Sequence, residues 1–117
     1  YNVYRLRAYM SENMNYFDNW AYIVVEESVL AKFSATAEDA HRLVNIPADI
    51  MGMKAWAVFI EDSGHMRTSL RSNGPVINHI AEKHGGGGHP LAAGCKVDVF
   101  DGVREVIKEL EGVVRAS

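Results

Sequence analysis

Arg67, Ser69 and Arg71 recur at every second position of the segment Arg-Thr-Ser-Leu-Arg-Ser, residues 67–72. Side chains alternate between the two faces of a strand. A strand here therefore points Arg67, Ser69 and Arg71 one way and Met66, Thr68 and Leu70 the other. Two guanidinium forks with a hydroxyl between them suit phosphate oxygens, which arginine grips bidentately. The same row also reads as an ordinary solvated strand face, since surface charges are the norm.

A second segment, residues 85–94, reads Gly-Gly-Gly-Gly-His-Pro-Leu-Ala-Ala-Gly. Four consecutive glycines lose much backbone entropy on folding. A loop that retains them needs positive φ angles or the close approach of a ligand to its backbone. Consecutive N–H groups in such a loop form an anion-binding nest. His89 follows at once, in place to donate to a phosphate oxygen or to assist proton transfer. A flexible surface linker is the alternative. The run matches neither the P-loop nor the dinucleotide-binding pattern.

Other constellations are weaker. His84, His89 and Cys95 cluster along the chain, but a structural zinc site needs four ligands. His41, His65 and His79 read as surface or helix-face residues. No Gly-x-Ser-x-Gly nucleophile elbow occurs. The carboxylates are scattered, with no cluster able to hold a pair of catalytic metals. Trp20, Tyr22, Trp56 and Phe59 fall in apolar runs and read as packing rather than as stacking platforms for bases.

The chain of 117 residues fits one domain, and 48% hydrophobic residues argue against disorder. A net charge of -3 argues against a general electrostatic grip on nucleic acid, which needs a basic face. Any phosphate must therefore be held by a local cluster. The single cysteine, Cys95, forms no disulfide within the chain, which is compatible with a reducing compartment, and a cytoplasmic location is expected. No apolar run approaches the roughly 20 residues of a membrane helix. The first residue is Tyr1, and Val3, Leu6, Met10 and Met14 already follow helical spacing, which suggests a fragment of a longer protein.

The positioning elements follow from pattern. Residues 2–17 read as an amphipathic helix, and Ala21 to Val25 as a strand. A short helix is expected near Ser28 to Lys32. Thr36 opens another that runs through Val44, with Asp39 completing a weak capping box and Pro47 ending it. Ala55 to Ile60 reads as a buried central strand, joined by a polar hairpin loop to Met66–Ser72. Pro75 begins a helix stopped by Gly85, the glycine run is a loop, and Cys95 to Val99 is a short strand. Asp101 caps a last helix carrying Val103, Val106, Ile107, Leu110 and Val113 on one face. The expected class is α+β, a mixed β-sheet with flanking helices in a single domain spanning 1–117.

Taken together, the glycine–histidine segment and the Arg/Ser strand resemble the DHH-associated C-terminal domain of DHH-family phosphoesterases, in their oligoribonuclease and phosphoadenosine-phosphate phosphatase branch. The order of hairpin, Arg/Ser strand, short helix ending Ile80-Ala81 and glycine loop also matches. The resemblance is strong from about 55 to 99 and looser from 20 to 54. It implies a two-domain enzyme whose N-terminal domain, with an Asp-His-His motif and two manganese ions, lies outside this chain. It further implies that His89 acts at the phosphate as the catalytic residue here. Amides of Gly86, Gly87 and Gly88 would cradle phosphate oxygens, and Arg67, Ser69, Arg71 and Ser72 would hold the rest. Implied partners are short oligonucleotides or nucleotide phosphates and the N-terminal catalytic domain, with a homodimer compatible and no membrane. This piece alone would be inactive. Related domains occur in alanyl-tRNA synthetase, whose loop normally lacks a histidine at the place of His89. A stand-alone nucleic-acid or nucleotide module, an exopolyphosphatase or a cyclic-dinucleotide phosphodiesterase remain alternatives.

Overall fold

Successive residues of β3 (Ala55–Asp62) and β4 (His65–Ser72) face opposite sides of a sheet, and this hairpin lies at the centre of the molecule. The computed structural model describes residues 1–117. Its single six-stranded sheet has the order β1-β2-β3-β4-β6-β5. The remaining strands are β1 (Asn15–Tyr16), β2 (Trp20–Val25), β5 (Gly87–His89) and β6 (Ala92–Val97). Only β2 and β3 pair in parallel. A parallel pair needs a crossover. Here the crossover carries α2 (Glu27–Lys32), α3 (Ala37–His41) and a 3₁₀ turn at Ile46–Asp49.

Two cores result, one on each face. Below the sheet, α4 (Asn78–Lys83) and α5 (Asp101–Ala116) bury Ile80, Val106, Leu110 and Val114 against Phe59, Leu70, Cys95 and Val97. Above it, α1 (Asn2–Glu12), α2 and α3 bury Leu6, Met10, Leu30 and Ala40 against Ile23, Trp56, Val58 and Ile60. The Trp56 indole N–H donates to the Val44 carbonyl at 2.7 Å and fixes the turn after α3. The upper helices thus cover β2 and β3 and stop there. Beyond β3 the upper face presents Arg67, Ser69 and Arg71, which offer no apolar surface for a helix to bury.

The α+β class and mixed sheet agree with the sequence reading, and several boundaries do not. The first helix ends at Glu12 instead of running to residue 17, and Val3 is exposed, so Leu6 and Met10 are its fully buried anchors. Helix α4 starts at Asn78, three residues past Pro75. The glycine stretch, expected as loop, supplies strand β5, and β6 begins at Ala92, earlier than Cys95. Thr36 and Asp39 form the expected capping box of α3, with both reciprocal bonds present.

Helix α5 is capped by a residue other than the one expected. Asp101 lies inside it, and Asp98 instead accepts N–H bonds from Phe100, Asp101 and Gly102. Losing a cap costs about 1 kcal/mol. Asp98→Ala should therefore lower unfolding stability in urea by about 1–2 kcal/mol, whereas Asp101→Ala should lower it by only a few tenths. Equal losses in the two variants would reassign the cap.

Candidate functional site

Strand β4 is held on both sides, by β3 and by β6, so its alternation is rigid. Paired residues share a face, which allows the site to be read across the sheet. Arg71 pairs with Trp56 on one side and Ala92 on the other, and Ala92 pairs with His89. Ser69 pairs with Val58 and Gly94, and Gly94 pairs with Gly87. Arg67 pairs with Ile60 and Lys96. Arg67, Ser69, Arg71, Gly87, His89 and Lys96 therefore all stand on the upper face, on the half that the helices leave open. Small residues on β6, Ala92 and Gly94, leave a hollow between β4 and β5.

That hollow is a groove of about 300 Å³ lined by His41, Arg67, Ser69, Arg71, Gly87, Ala92 and Gly94, with backbone from Thr68 and Ala93. Ser69, 3% exposed, forms its floor. Arg67 donates to Glu38 at 3.0 Å on the wall formed by α3. That hydrogen bond and the charge of Arg67 hold the Glu38 carboxyl below its ordinary range. Arg71 is half-buried and takes part in none of the five ion pairs. Its Nη1 donates to the carbonyls of Leu70 at 3.0 Å and Ala93 at 3.3 Å, which orients the guanidinium. Burial pushes its pKa down from the usual value. A half-buried cation without a counter-ion is suited to receive an anion. His89 is exposed at the outer edge of the same face.

The glycine run divides its work. Gly85, at φ +85, and Gly86 close α4 in a Schellman motif: Gly85 N–H donates to Glu82 at 3.1 Å and Gly86 N–H to Ala81 at 2.8 Å. The Gly86 amide is thereby engaged within the fold. Gly87 and Gly88 continue as strand β5, so the run is not the open nest expected from sequence. A Cβ at Gly86 would collide with Gly94 and Cys95, and one at Gly88 would lie 2.7 Å from backbone atoms of Ala92 and Ala93. These two glycines let the chain press onto β6. Within β5, Gly87 has open space around it, on the groove side.

Ser72 is not brought to the groove. It belongs to the lower parity of β4 with Leu70, and its hydroxyl bonds to the Pro75 and Lys54 carbonyls while accepting from Gly74 N–H. It fastens the turn after β4. His84 also points away, bonding Glu109 of α5 at 2.7 Å, where Lys83 joins at 2.6 Å. Cys95 faces the lower core, and burial pushes its thiol up to about 11. His84, His89 and Cys95 therefore do not converge, and no three His, Cys, Asp or Glu side chains group closely enough to ligate a metal. The groove residue not anticipated from sequence is His41. Its spacing suits a helix surface, yet the packing of α3 aims it into the groove.

Residues 18–116 match the DHHA1 domain family, and the chain belongs to it. It is 38% identical over 111 residues to the bifunctional oligoribonuclease and PAP phosphatase NrnA of Bacillus subtilis, covering 94% of this chain and 36% of that protein. It is 35% identical over 117 residues to the probable counterpart of Streptococcus mutans, covering 98% of this chain and 38% of that one. The chain thus spans little more than a third of these relatives' length. Among solved structures, an exopolyphosphatase-related protein from Bacteroides fragilis superposes with a TM-score of 0.80 at 28% identity, over 98% of this chain and 34% of its own.

The two glycine environments separate fold from site. Gly88→Ala, at φ +146 and against β6 backbone, should cost about 1–3 kcal/mol, a fall of several degrees in Tm for a domain of this size. Gly87→Ala should keep the Tm and place a methyl group in the groove. A Gly88→Ala protein that melts like the parent would contradict the packing role of β5.

Proposed function

We propose that this chain is the substrate-holding part of a DHH-family phosphoesterase acting on short oligonucleotides or nucleotide 3′-phosphates. The main support is the half-buried Arg71 guanidinium, without a carboxylate partner, opening on a groove with Arg67 and Ser69. In a chain of net charge -3, such a local concentration of cations is a specific feature. The names of the NrnA relatives point to the same substrate class.

In this reading a phosphate lies over Ser69, gripped by Arg71 and drawing Arg67 from Glu38. Gly87 and the edge of β5 allow its close approach, and His89 reaches an oxygen of the scissile or neighbouring phosphate. Such a preorganised clamp supplies orientation and charge complementarity. Two manganese ions, held by a domain outside this chain, would supply the activated water. His89 and the open half of the sheet then face that domain, in a cytoplasmic enzyme.

One observation favours a second reading, inorganic polyphosphate. No Phe, Tyr or Trp lines the groove, since Trp20, Trp56 and Phe59 are all buried in the cores, so a base finds no stacking platform here. The groove recognises phosphate more evidently than it recognises a nucleobase.

Calorimetric titration with phosphoadenosine phosphate tests the clamp. Arg71→Ala should lose about 1.5–3 kcal/mol of binding, roughly tenfold to a hundredfold in Kd. Ser72→Ala should destabilise the fold but leave Kd unchanged. An Arg71→Ala protein that binds as tightly as the parent refutes the clamp. Inorganic polyphosphate binding more tightly than phosphoadenosine phosphate would favour the second reading.

A further inference from the structure

His41 is the groove residue to which the clamp assigns no task. It closes α3, one turn after Glu38, the residue that receives Arg67. Its Nδ1 is buried and has no hydrogen-bond partner, alone among the buried side-chain nitrogens and oxygens. Buried polar atoms are almost always satisfied. The ring that carries it lines the cationic groove beside Arg67 and Arg71, so the fold places an imidazole with incomplete hydrogen bonding at the edge of the anion site.

The charges around it decide its state. Glu38 and Asp39 lie on its own helix and Arg42 follows as the C-cap, Arg67 and Arg71 face it from β4, and Lys96 and His89 occupy the same sheet face on β6 and β5. Burial foremost, then Arg67, and to a smaller degree Arg71 push its pKa below the ordinary histidine value, while Glu38 opposes them. These surroundings favour the neutral imidazole over the charged one. An anion between the arginines cancels their repulsion and offers the imidazole a hydrogen-bond acceptor.

Resting on the phosphate-binding reading above, we propose that His41 is a further ligand contact, whose imidazole N–H donates to a phosphate oxygen held between Arg67 and Arg71 and whose ring takes up a proton from solvent as the anion arrives. Linkage fixes the sign of the pH dependence. Above the bound-state titration midpoint the ring is neutral with or without ligand, and His41 adds no pH dependence. Between the bound and free midpoints binding takes up a proton, so affinity rises as pH falls, by up to about tenfold per pH unit. Below the free midpoint the gain is complete.

The test uses the chain labelled uniformly with ¹⁵N, so that imidazoles and backbone amides are both read, and phosphoadenosine phosphate as probe. The His41 titration midpoint should rise by about 1 or more on saturation, the order of effect of an opposite charge at close range. Calorimetry in buffers of different ionisation heat should show more proton uptake for the parent than for His41→Gln, which still binds. The ligand's own second ionisation, at about pH 6, is present with both proteins, so the difference between them isolates the uptake that depends on the His41 ring and its coupling to the phosphate. If the amides of Arg71 and Gly87 shift with ligand while the His41 midpoint stays fixed, the His41 contact is overturned and the phosphate reading stands. If no signal of the groove responds, both fall. The midpoint is read on the parent protein, so the contact is decided even if His41→Gln fails to fold.

Discussion

The two-residue alternation of β4, clamped between β3 and β6, builds the core on one side and the groove on the other. Its lower parity, Met66, Thr68, Leu70 and Ser72, is buried against α4, α5 and the following turn. Its upper parity, Arg67, Ser69 and Arg71, cannot be buried under a helix without a large desolvation cost. The crossover helices accordingly stop over β3, and half of one face stays open. The groove is thus a consequence of the same period that packs the interior. A slip of one residue in register would bury both arginines and abolish core and groove together.

The open half is shaped by what is missing from its side chains. Ala92 and Gly94 leave depth beside β4, and the glycines before and within β5 bring the edge strand down onto β6. Glycine is a poor strand former, so β5 exists because of this close packing and in spite of its propensity. Asp98, Ser72 and the Schellman turn at Gly85 and Gly86 secure the surrounding connections, each by satisfying backbone groups that a helix end or turn leaves free.

Much of this is legible in the sequence. The period-2 row of Arg67, Ser69 and Arg71 is readable from alternation alone, and the same rule sends Ser72 to the opposite side, against a phosphate-binding role for its hydroxyl. The central apolar strand and the capping box at Thr36 are equally plain, because they depend on neighbours in sequence. Features that depend on tertiary contact are not. Asp98 caps α5 from outside it, across the first turn, so the nearer Asp101 looks the better cap. The glycine run signals conformational freedom correctly, but its close partner lies on β6, several residues on. His41 carries no local signal at all. Only the docking of α3 against β3, fixed in part by the Trp56 bond to Val44, turns it toward the arginines.

If Arg71, the Ser69 floor and the β5 edge serve one anion, a crystal structure of this chain with phosphoadenosine phosphate bound will show it. The expected result is a phosphate on the upper face, within hydrogen-bonding distance of the Arg71 guanidinium and lying over Ser69 toward Gly87. A phosphate held by the α4–α5 side of the sheet, or one that leaves Arg71 untouched, would contradict it.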